Sequence, residues 1–170
     1  RALDLGCAVG RSTFELARQC TEVVGIDFSH RFIETAKRLQ ASGELSYAHT
    51  VEGEITTSAT AMIAPEIDRS RVRFQQGDAM NLPNDLGQFD VVLMANLIDR
   101  LPDPMRCLDR LADLIRSGGQ LIVTSPYTWL EDYTSKPNWL GGTVRADETV
   151  RTREALAAAL ESHFELREQK

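Results

Sequence analysis

Apolar runs alternate with amphipathic stretches along almost the whole chain. Runs rich in Val, Ile, Leu and Phe predict strands at 2–5, 22–27, 71–75, 89–95, 120–125 and 164–166. Helical periodicity predicts helices over Gly10–Gln19, from a Ser29 cap to about Gln40, from Pro104 to Ser117-Gly118-Gly119, and from Arg153 to about Ser162 behind a Thr152 cap. Strands that alternate with helices favour a doubly wound α/β fold, with a mostly parallel sheet and helices on both faces.

Residues 43–70 interrupt this alternation. Leu45–Val51 and Ile55–Ile63 are rich in Thr, Tyr, Val and Ile, and they flank the turn sequence Glu52-Gly53-Glu54. We therefore predict a β-hairpin insertion that ends at Pro65.

Length and composition fit one globular domain with its own core, since 42% of the 170 residues are hydrophobic and 26% are charged. The net charge of -6 and the lack of a basic stripe argue against nucleic acid as a partner. No apolar run predicts a membrane span. Three scattered cysteines predict a reducing, cytoplasmic location. The three histidines are far apart and show no ligand spacing with the cysteines, so we expect no metal site. Because the chain begins inside a strand, we expect a domain truncated at both ends.

The segment from Asp4 to Gly10, with the sequence DLGCAVG, joins the first strand to the first helix. Its glycines allow a tight turn, and the helix N-terminus that follows offers free N–H groups. Asp4 stands where a dinucleotide-binding G-x-G-x-x-G motif has its first glycine. A carboxylate there would repel a pyrophosphate, whereas it could pair with the ammonium of a methionine moiety.

Two further acids follow later strands. Asp27 closes the second strand, 17 residues after Gly10, where a carboxylate can accept both hydroxyls of a ribose. Asp78, within Gly77-Asp78-Ala79, follows the third strand and is placed for the amine of adenine. Each acid alone could be a cap or a turn residue. Together they predict S-adenosylmethionine as the bound cofactor, with S-adenosylhomocysteine as its product.

This pattern resembles the class I S-adenosylmethionine-dependent methyltransferases, which have a Rossmann-like fold. The D-x-G-C-x-x-G turn, Asp27, Gly77-Asp78-Ala79 and the strand at 89–93 carry the resemblance. It implies a set of cofactor-binding residues: Asp4, Gly6, Cys7 and Gly10 at the methionine part, Asp27 at the ribose, Phe28, Asp78 and Ala79 at the adenine, and Asn96 and Leu97 on the methyl-transfer side.

The segment 127–147 follows the fifth strand and holds both tryptophans and two of the three tyrosines. We expect a substrate-side loop there, because ligands bind at the carboxyl edge of such sheets. The alternative is a packed loop whose aromatic residues close the core.

A narrower resemblance rests on four segments, DLGCAVGRS from Asp4, ANLIDRL from Ala95, TSPYTWLE from Thr124 and NWLGG from Asn138. They resemble the C-terminal methyltransferase domain of ovothiol synthase, as does the insertion around Tyr47. This resemblance implies methylation of the imidazole π-nitrogen of 5-thiohistidine. It also implies a longer chain with an N-terminal iron-dependent sulfoxide synthase domain.

We predict substrate contacts and catalytic groups from these positions. The substrate-binding candidates are Arg100, Tyr127, Trp129, Asp132, Asn138, Trp139 and Tyr47. The catalytic candidates are Asn96, Asp99 and Glu131, where an acid would serve as general base if one is needed. Arg100 could instead form a salt bridge with Asp99 or Asp103. A methyltransferase for another small metabolite and a non-catalytic donor-binding module are the alternative functions.

Overall fold

The computed structural model describes residues 1–145 and 148–167. The chain divides into two compact units, Arg1–Asp78 and Ala79–Lys170. The first contains β1 (Ala2–Leu5), α1 (Arg11–Leu16), β2 (Val23–Asp27), α2 (His30–Ser42), β3 (Glu44–Glu52), β4 (Ile55–Met62) and β5 (Val72–Gln76). The second contains β6 (Phe89–Ala95), α3 (Pro104–Leu114), β7 (Ile115–Thr124), β8 (Thr143–Arg145), β9 (Glu148–Val150) and α4 (Thr152–Leu160). Short 3-10 helices lie at Arg69–Arg71, Ile98–Arg100 and Lys136–Asn138.

In the first unit the strands are ordered β5-β2-β1, and in the second unit β6 neighbours β7. The pairs β1–β2, β2–β5 and β6–β7 are parallel. All four residues of β1 are buried, as expected for a strand that is covered on both faces. Helices alternate with the parallel strands in both units, so the predicted α/β class is confirmed.

The predicted hairpin insertion is also present. β3 and β4 pair antiparallel, with Tyr47 opposite Ala59, and Gly53 makes the turn with φ of 51°. Tyr47, Val51 and Ile55 are exposed, so this ribbon contributes little to the core.

Helix α2 begins as the sequence predicts, because the Ser29 side chain accepts a hydrogen bond from the Phe32 N–H. Helix α4 differs: Arg151 is its N-cap residue and Thr152 lies inside its first turn. The Thr152 hydroxyl accepts a hydrogen bond from the Trp129 ring, so a side-chain contact takes the place of the predicted cap.

Two other features correct the sequence predictions. Helix α3 ends at Leu114 rather than at 117–119, because Ile115 is extended and already pairs with Phe89 in the sheet. The register then shifts before Val91, which leaves Gly118 in an irregular stretch with φ of 79°. The sixth strand predicted at 164–166 is wrong, since these residues have no regular structure and no strand in residues 1–145 or 148–167 pairs with them.

The loop predicted at 127–147 contains a strand that the sequence pattern did not predict. β8 lies within it and pairs antiparallel with β9, so that Thr143 stands opposite Val150. Positions 146–147 of the predicted loop lie outside the described residues. Within the described part of the chain, no helix has both the length and the apolar character that crossing a bilayer requires.

Candidate functional site

The turn between β1 and α1 is built around a buried carboxylate. Asp4 is 0% exposed, and its Oδ2 accepts hydrogen bonds from Ser12 Oγ at 2.7 Å and Thr13 Oγ1 at 2.6 Å. Its other oxygen, Oδ1, is buried and has no hydrogen-bond partner in residues 1–145 and 148–167. A buried acceptor of this kind is costly unless a donor reaches it.

Burial raises the pKa of the Asp4 carboxyl, the hydrogen bonds from Thr13 and Ser12 lower it, and the charge of Asp27 raises it again. The net pKa lies above the ordinary value, because the loss of hydration outweighs the two hydroxyl donors. A cation bound at Oδ1 would favour the charged form and reverse this shift.

The same turn brings backbone groups to Asp27. Its Oδ2 accepts the Ala8 N–H at 2.9 Å, and its Oδ1 accepts the Ser29 N–H at 2.9 Å. The carboxylate is therefore fixed at the end of β2, while each oxygen keeps a further lone pair for a ligand hydroxyl.

Gly10 is required for two reasons. Its φ is 90°, and a Cβ built there would lie 2.5 Å from Phe74 Cζ. Gly6 and Cys7 shape the turn through their backbones, since both N–H groups donate to the Ile26 carbonyl. Burial, followed by the charges of Asp4 and Asp27, raises the pKa of the Cys7 thiol, so this side chain stays neutral.

The groups predicted for adenine lie after β2 and β5. Phe28 is 73% exposed, and its carbonyl accepts a hydrogen bond from Gln76 Nε2 at 3.0 Å. The Gly77 N–H donates to the Asp27 carbonyl at 3.0 Å, which ties Asp78 to the end of β2. Ala79, the first residue of the second unit, is buried.

In the second unit, β6 and β7 each lead into a residue with a left-handed backbone. Asn96 has φ of 55° and Tyr127 has φ of 54°. The Asn96 N–H donates to the Thr124 carbonyl at 2.8 Å, and the Tyr127 N–H donates to Ser125 Oγ at 3.0 Å. Residues other than glycine rarely adopt this conformation, and such strain clusters at functional sites.

Asp99 holds the segment after β7 in place. It is 0% exposed, and its Oδ1 accepts from Ser125 Oγ at 3.0 Å. Its Oδ2 accepts from the Thr128 N–H at 3.2 Å, from Thr128 Oγ1 at 3.0 Å and from Arg100 Nη1 at 2.7 Å. The ion pair between Arg100 and Asp99, one alternative from the sequence, is therefore present.

The tryptophans of the same segment pack against each other. Trp129 is 8% exposed and stacks on Trp139 with 6.3 Å between ring centroids. Trp129 Nε1 donates to Thr152 Oγ1 at 2.8 Å, and Trp139 Nε1 donates to the Thr134 carbonyl at 2.8 Å. For Trp129 this geometry agrees with the packing alternative.

The remaining predicted contacts are on the surface. Glu131 and Asp132 are exposed, Tyr127 is 43% exposed, and exposed Asn138 donates to the Pro102 carbonyl at 2.9 Å. Tyr47 is exposed on the β3–β4 hairpin of the first unit. No three His, Cys, Asp or Glu side chains of the described ranges are grouped as metal ligands.

The comparison with protein families decides the family. Residues 3–123 match the family described as "Methyltransferase domain". The chain belongs to this methyltransferase family. The match runs from β1 to β7, and it includes the Asp4 turn, Asp27 and Asp99.

Two curated relatives share this region with the methyltransferase chain. A ubiquinone biosynthesis O-methyltransferase of Coxiella burnetii is 26% identical over 123 residues, which are 72% of this chain and 42% of that protein. A demethylmenaquinone methyltransferase of Lactococcus lactis is 28% identical over 123 residues, which are 71% and 39% of the two chains. The methyltransferase chain thus spans about four-tenths of the length of these relatives.

One solved structure resembles nearly the whole methyltransferase chain. The [4+2]-cyclase SpnF superposes with a TM-score of 0.62 and 20% identity, over 96% of this chain and 50% of that one. At this identity the similarity concerns the fold alone. It also shows that a fold of this kind occurs in a protein described as a cyclase.

Sequence reasoning missed several residues that shape the donor turn of the first unit and the Asp99 network of the second unit. Ser12 and Thr13 orient Asp4, Gln76 holds the Phe28 backbone, and Ser125 and Thr128 bind Asp99. Hydroxyls directly after a glycine turn, in the first turn of a helix, were the available signal for Ser12 and Thr13. Nothing local marks Ser125 and Thr128, because they lie 26 and 29 residues after Asp99.

Proposed function

We propose that this chain binds S-adenosylmethionine and transfers its methyl group to a small molecule. The observation that carries the proposal is Asp4 Oδ1, a buried carboxylate oxygen with no partner in the described ranges, on the turn that also fixes Asp27. An ammonium group would satisfy this oxygen, and a ribose would find the free lone pairs of Asp27. The donor supplies an activated methyl group on a sulfonium when it is bound.

Residues of the donor turn and of the end of β2 would hold separate parts of this ligand. Asp4 would hold the ammonium, with Ser12 and Thr13 keeping its second oxygen occupied. Asp27 would hold the ribose, and the exposed Phe28 ring would flank the adenine. Asp78 and Ala79 remain predicted adenine contacts.

We propose further that the acceptor is 5-thiohistidine and that the methylated atom is its imidazole π-nitrogen. The support is the resemblance of four sequence segments to the methyltransferase domain of ovothiol synthase. Arg100 and the exposed Tyr127 lie in or beside those segments. The parent chain would then carry an iron-dependent sulfoxide synthase domain before this one.

The protein's task in this reaction is to align the acceptor nitrogen with the methyl group and the sulfur of the donor, and to exclude water. A neutral imidazole nitrogen already has a lone pair, so alignment can supply roughly 7–11 kcal/mol without covalent help from the chain. Asp99 accepts four hydrogen bonds and holds the loop, which leaves exposed Glu131 as the predicted base if one is required. Asn96 and Leu97 stay predictions for the methyl-transfer side.

Mass spectrometry of products tests both levels of the proposal. The protein is incubated with a methyl-deuterated donor and with 5-thiohistidine, histidine or a quinol in parallel. We expect a labelled methyl on the ring nitrogen of 5-thiohistidine and much less product from histidine. Histidine lacks the sulfur, so any hydrogen-bond donors of the protein that are arranged for this atom would have no partner. Methylation of the quinol alone would keep the methyltransferase and reject the acceptor. No transfer by a folded protein that binds the donor would favour a non-catalytic module.

Asp27→Ala tests the donor half separately. Loss of this charged acceptor should weaken S-adenosylhomocysteine binding by about 1.5–3 kcal/mol. The control is Asp113→Ala, since Asp113 pairs with Arg110 on the exposed side of α3. Equal affinity of the two variants in calorimetry would contradict the ribose assignment.

A further inference from the structure

The guanidinium of Arg100 is held along one side. Nη1 donates to the Asp99 carbonyl at 2.8 Å, to Asp99 Oδ2 at 2.7 Å and to the Thr128 carbonyl at 3.0 Å. Nη2 donates to Thr128 Oγ1 at 3.0 Å. These contacts fix the end of the guanidinium against two segments that are 28 residues apart in sequence.

An aromatic ring fixes the plane of the same group. The Arg100 guanidinium carbon lies 5.0 Å from the centre of the Tyr133 ring, a distance typical of a cation–π contact. With its end bonded and one face covered, the guanidinium cannot rotate without breaking several contacts at once.

The Nε/Nη2 edge of the Arg100 guanidinium remains available to a ligand. No acceptor of residues 1–145 and 148–167 bonds to Nε, and this atom is not fully buried. The side chain is 33% exposed. The Nε–H and the Nη2–H on the same side point in parallel, which is the fork that binds both oxygens of a carboxylate.

We infer that Arg100 receives the carboxylate of the acceptor through its Nε/Nη2 edge, and that Asp99 is the positioning residue that aims this edge. The inference rests on the proposed methyl transfer and specifies the acceptor class: a free amino acid or another small carboxylic acid. It also distinguishes this chain's acceptor from a quinol, which has no carboxylate.

Carboxylate binding by Arg100 depends on the orientation of the guanidinium more than on its charge. The charge of Asp99, 2.7 Å from Nη1, compensates much of the Arg100 charge, so long-range attraction of an anion is weak. The gain comes from two short charge-assisted hydrogen bonds, and these form only if the guanidinium is already oriented. Loss of this orientation should therefore raise the KM and the Kd of the acceptor more than it lowers kcat.

The test removes the carboxylate of the acceptor and the guanidinium of the protein, each alone and both together. The two acceptors are 5-thiohistidine and its carboxamide, and each is studied with the wild type and with Arg100→Met. We measure kcat and KM, and also the Kd of each acceptor by calorimetry with S-adenosylhomocysteine bound. The wild type should prefer the acid roughly 10- to 100-fold in kcat/KM, and Arg100→Met should treat both acceptors alike.

The positioning role of Asp99 has its own readouts. Asp99→Asn should raise KM for the acid. The KM for the carboxamide, the Kd of the donor and the pH profile of kcat should change little. If that variant does not fold, Thr128→Val removes the hydroxyl that accepts from Arg100 Nη2 and donates to Asp99 Oδ2, and it should raise KM for the acid less. Arg106→Met removes an exposed charge from α3 and is the control.

Two outcomes would overturn the inference while methyl transfer stands: a wild type that treats acid and carboxamide alike, or an Arg100→Met protein that still prefers the acid. Loss of the acid limb of the kcat profile in Asp99→Asn would make Asp99 a catalytic base instead. If a folded, donor-binding wild type methylates neither acceptor, 5-thiohistidine is rejected as the acceptor and this inference fails with it, whereas the quinol arm of the product assay still decides whether the protein is a methyltransferase.

Discussion

Gly10→Ala tests the physical basis of the donor turn. The left-handed backbone at φ of 90° costs a residue with a Cβ about 1–2 kcal/mol. The new methyl would also lie 2.5 Å from Phe74 Cζ and 3.2 Å from Phe14 Cε2. Phe74 is 5% exposed and packs edge-to-face on Phe14, so it cannot swing away. Overpacking of this kind adds about 1–3 kcal/mol.

Gly118→Ala is the matched control for this variant. Its φ is 79°, but apart from the glycine and its two neighbours no heavy atom of residues 1–145 or 148–167 lies within 4 Å of the position that its Cβ would take. It should lose only about 1–2 kcal/mol in the free energy of unfolding. The loss for Gly10→Ala should therefore be larger by about 1–3 kcal/mol, which is the overpacking contribution.

Urea unfolding and calorimetry measure the two consequences. Gly10→Ala should also weaken S-adenosylhomocysteine binding at least 10-fold, because relief of the clash moves the turn, whereas Gly118→Ala should bind normally. Phe74→Leu in the Gly10→Ala background should restore part of the stability. Equal destabilisation by the two alanine substitutions, or no rescue by Phe74→Leu, would refute the packing argument.

Three further predictions concern other parts of the chain. Asp4→Asn should weaken donor binding about 10-fold or more. Because the folded pKa of Asp4 is raised, the wild type should lose stability relative to this variant as pH rises from 3.8 through the folded pKa, and a difference independent of pH would contradict this. Trp129→Phe should destabilise by about 1–3 kcal/mol through the lost bond to Thr152, and in a Thr152→Val background its added effect should be smaller. Hydrogen exchange in Glu44–Met62 should be faster than in β1 and should slow when donor and acceptor bind; equal rates throughout would be the contrary result.

Local signals in the sequence predicted most of the fold. The bounds of β1 and β6, the Ser29 cap and the β3–β4 hairpin follow from apolar runs, a capping hydroxyl and a glycine turn. The end of α3 was missed because Ile115 is recruited by pairing with Phe89, a contact that helix periodicity cannot show.

The candidate site divides in the same way. The glycine turn and Asp27 are adjacent to strand ends, so a single sequence marks them. The network around Asp99 depends on side chains from Ser125 and Thr128, whose distance along the chain hides the contact. Trp129 was predicted as a substrate contact because its aromatic-rich segment follows the fifth strand, although its burial and its bond to Thr152 give it a packing role.

The left-handed residues Asn96 and Tyr127 bear on how this protein would respond to directed evolution. Glycine adopts their dihedral angles without steric cost, and asparagine tolerates them better than tyrosine does. A library selected only for heat tolerance should therefore accumulate Tyr127→Gly early and Asn96→Gly later. A library selected for turnover should keep a side chain at both positions. Comparison of the two populations would locate, without a ligand-bound structure, the positions at which a residue lowers stability and supports activity.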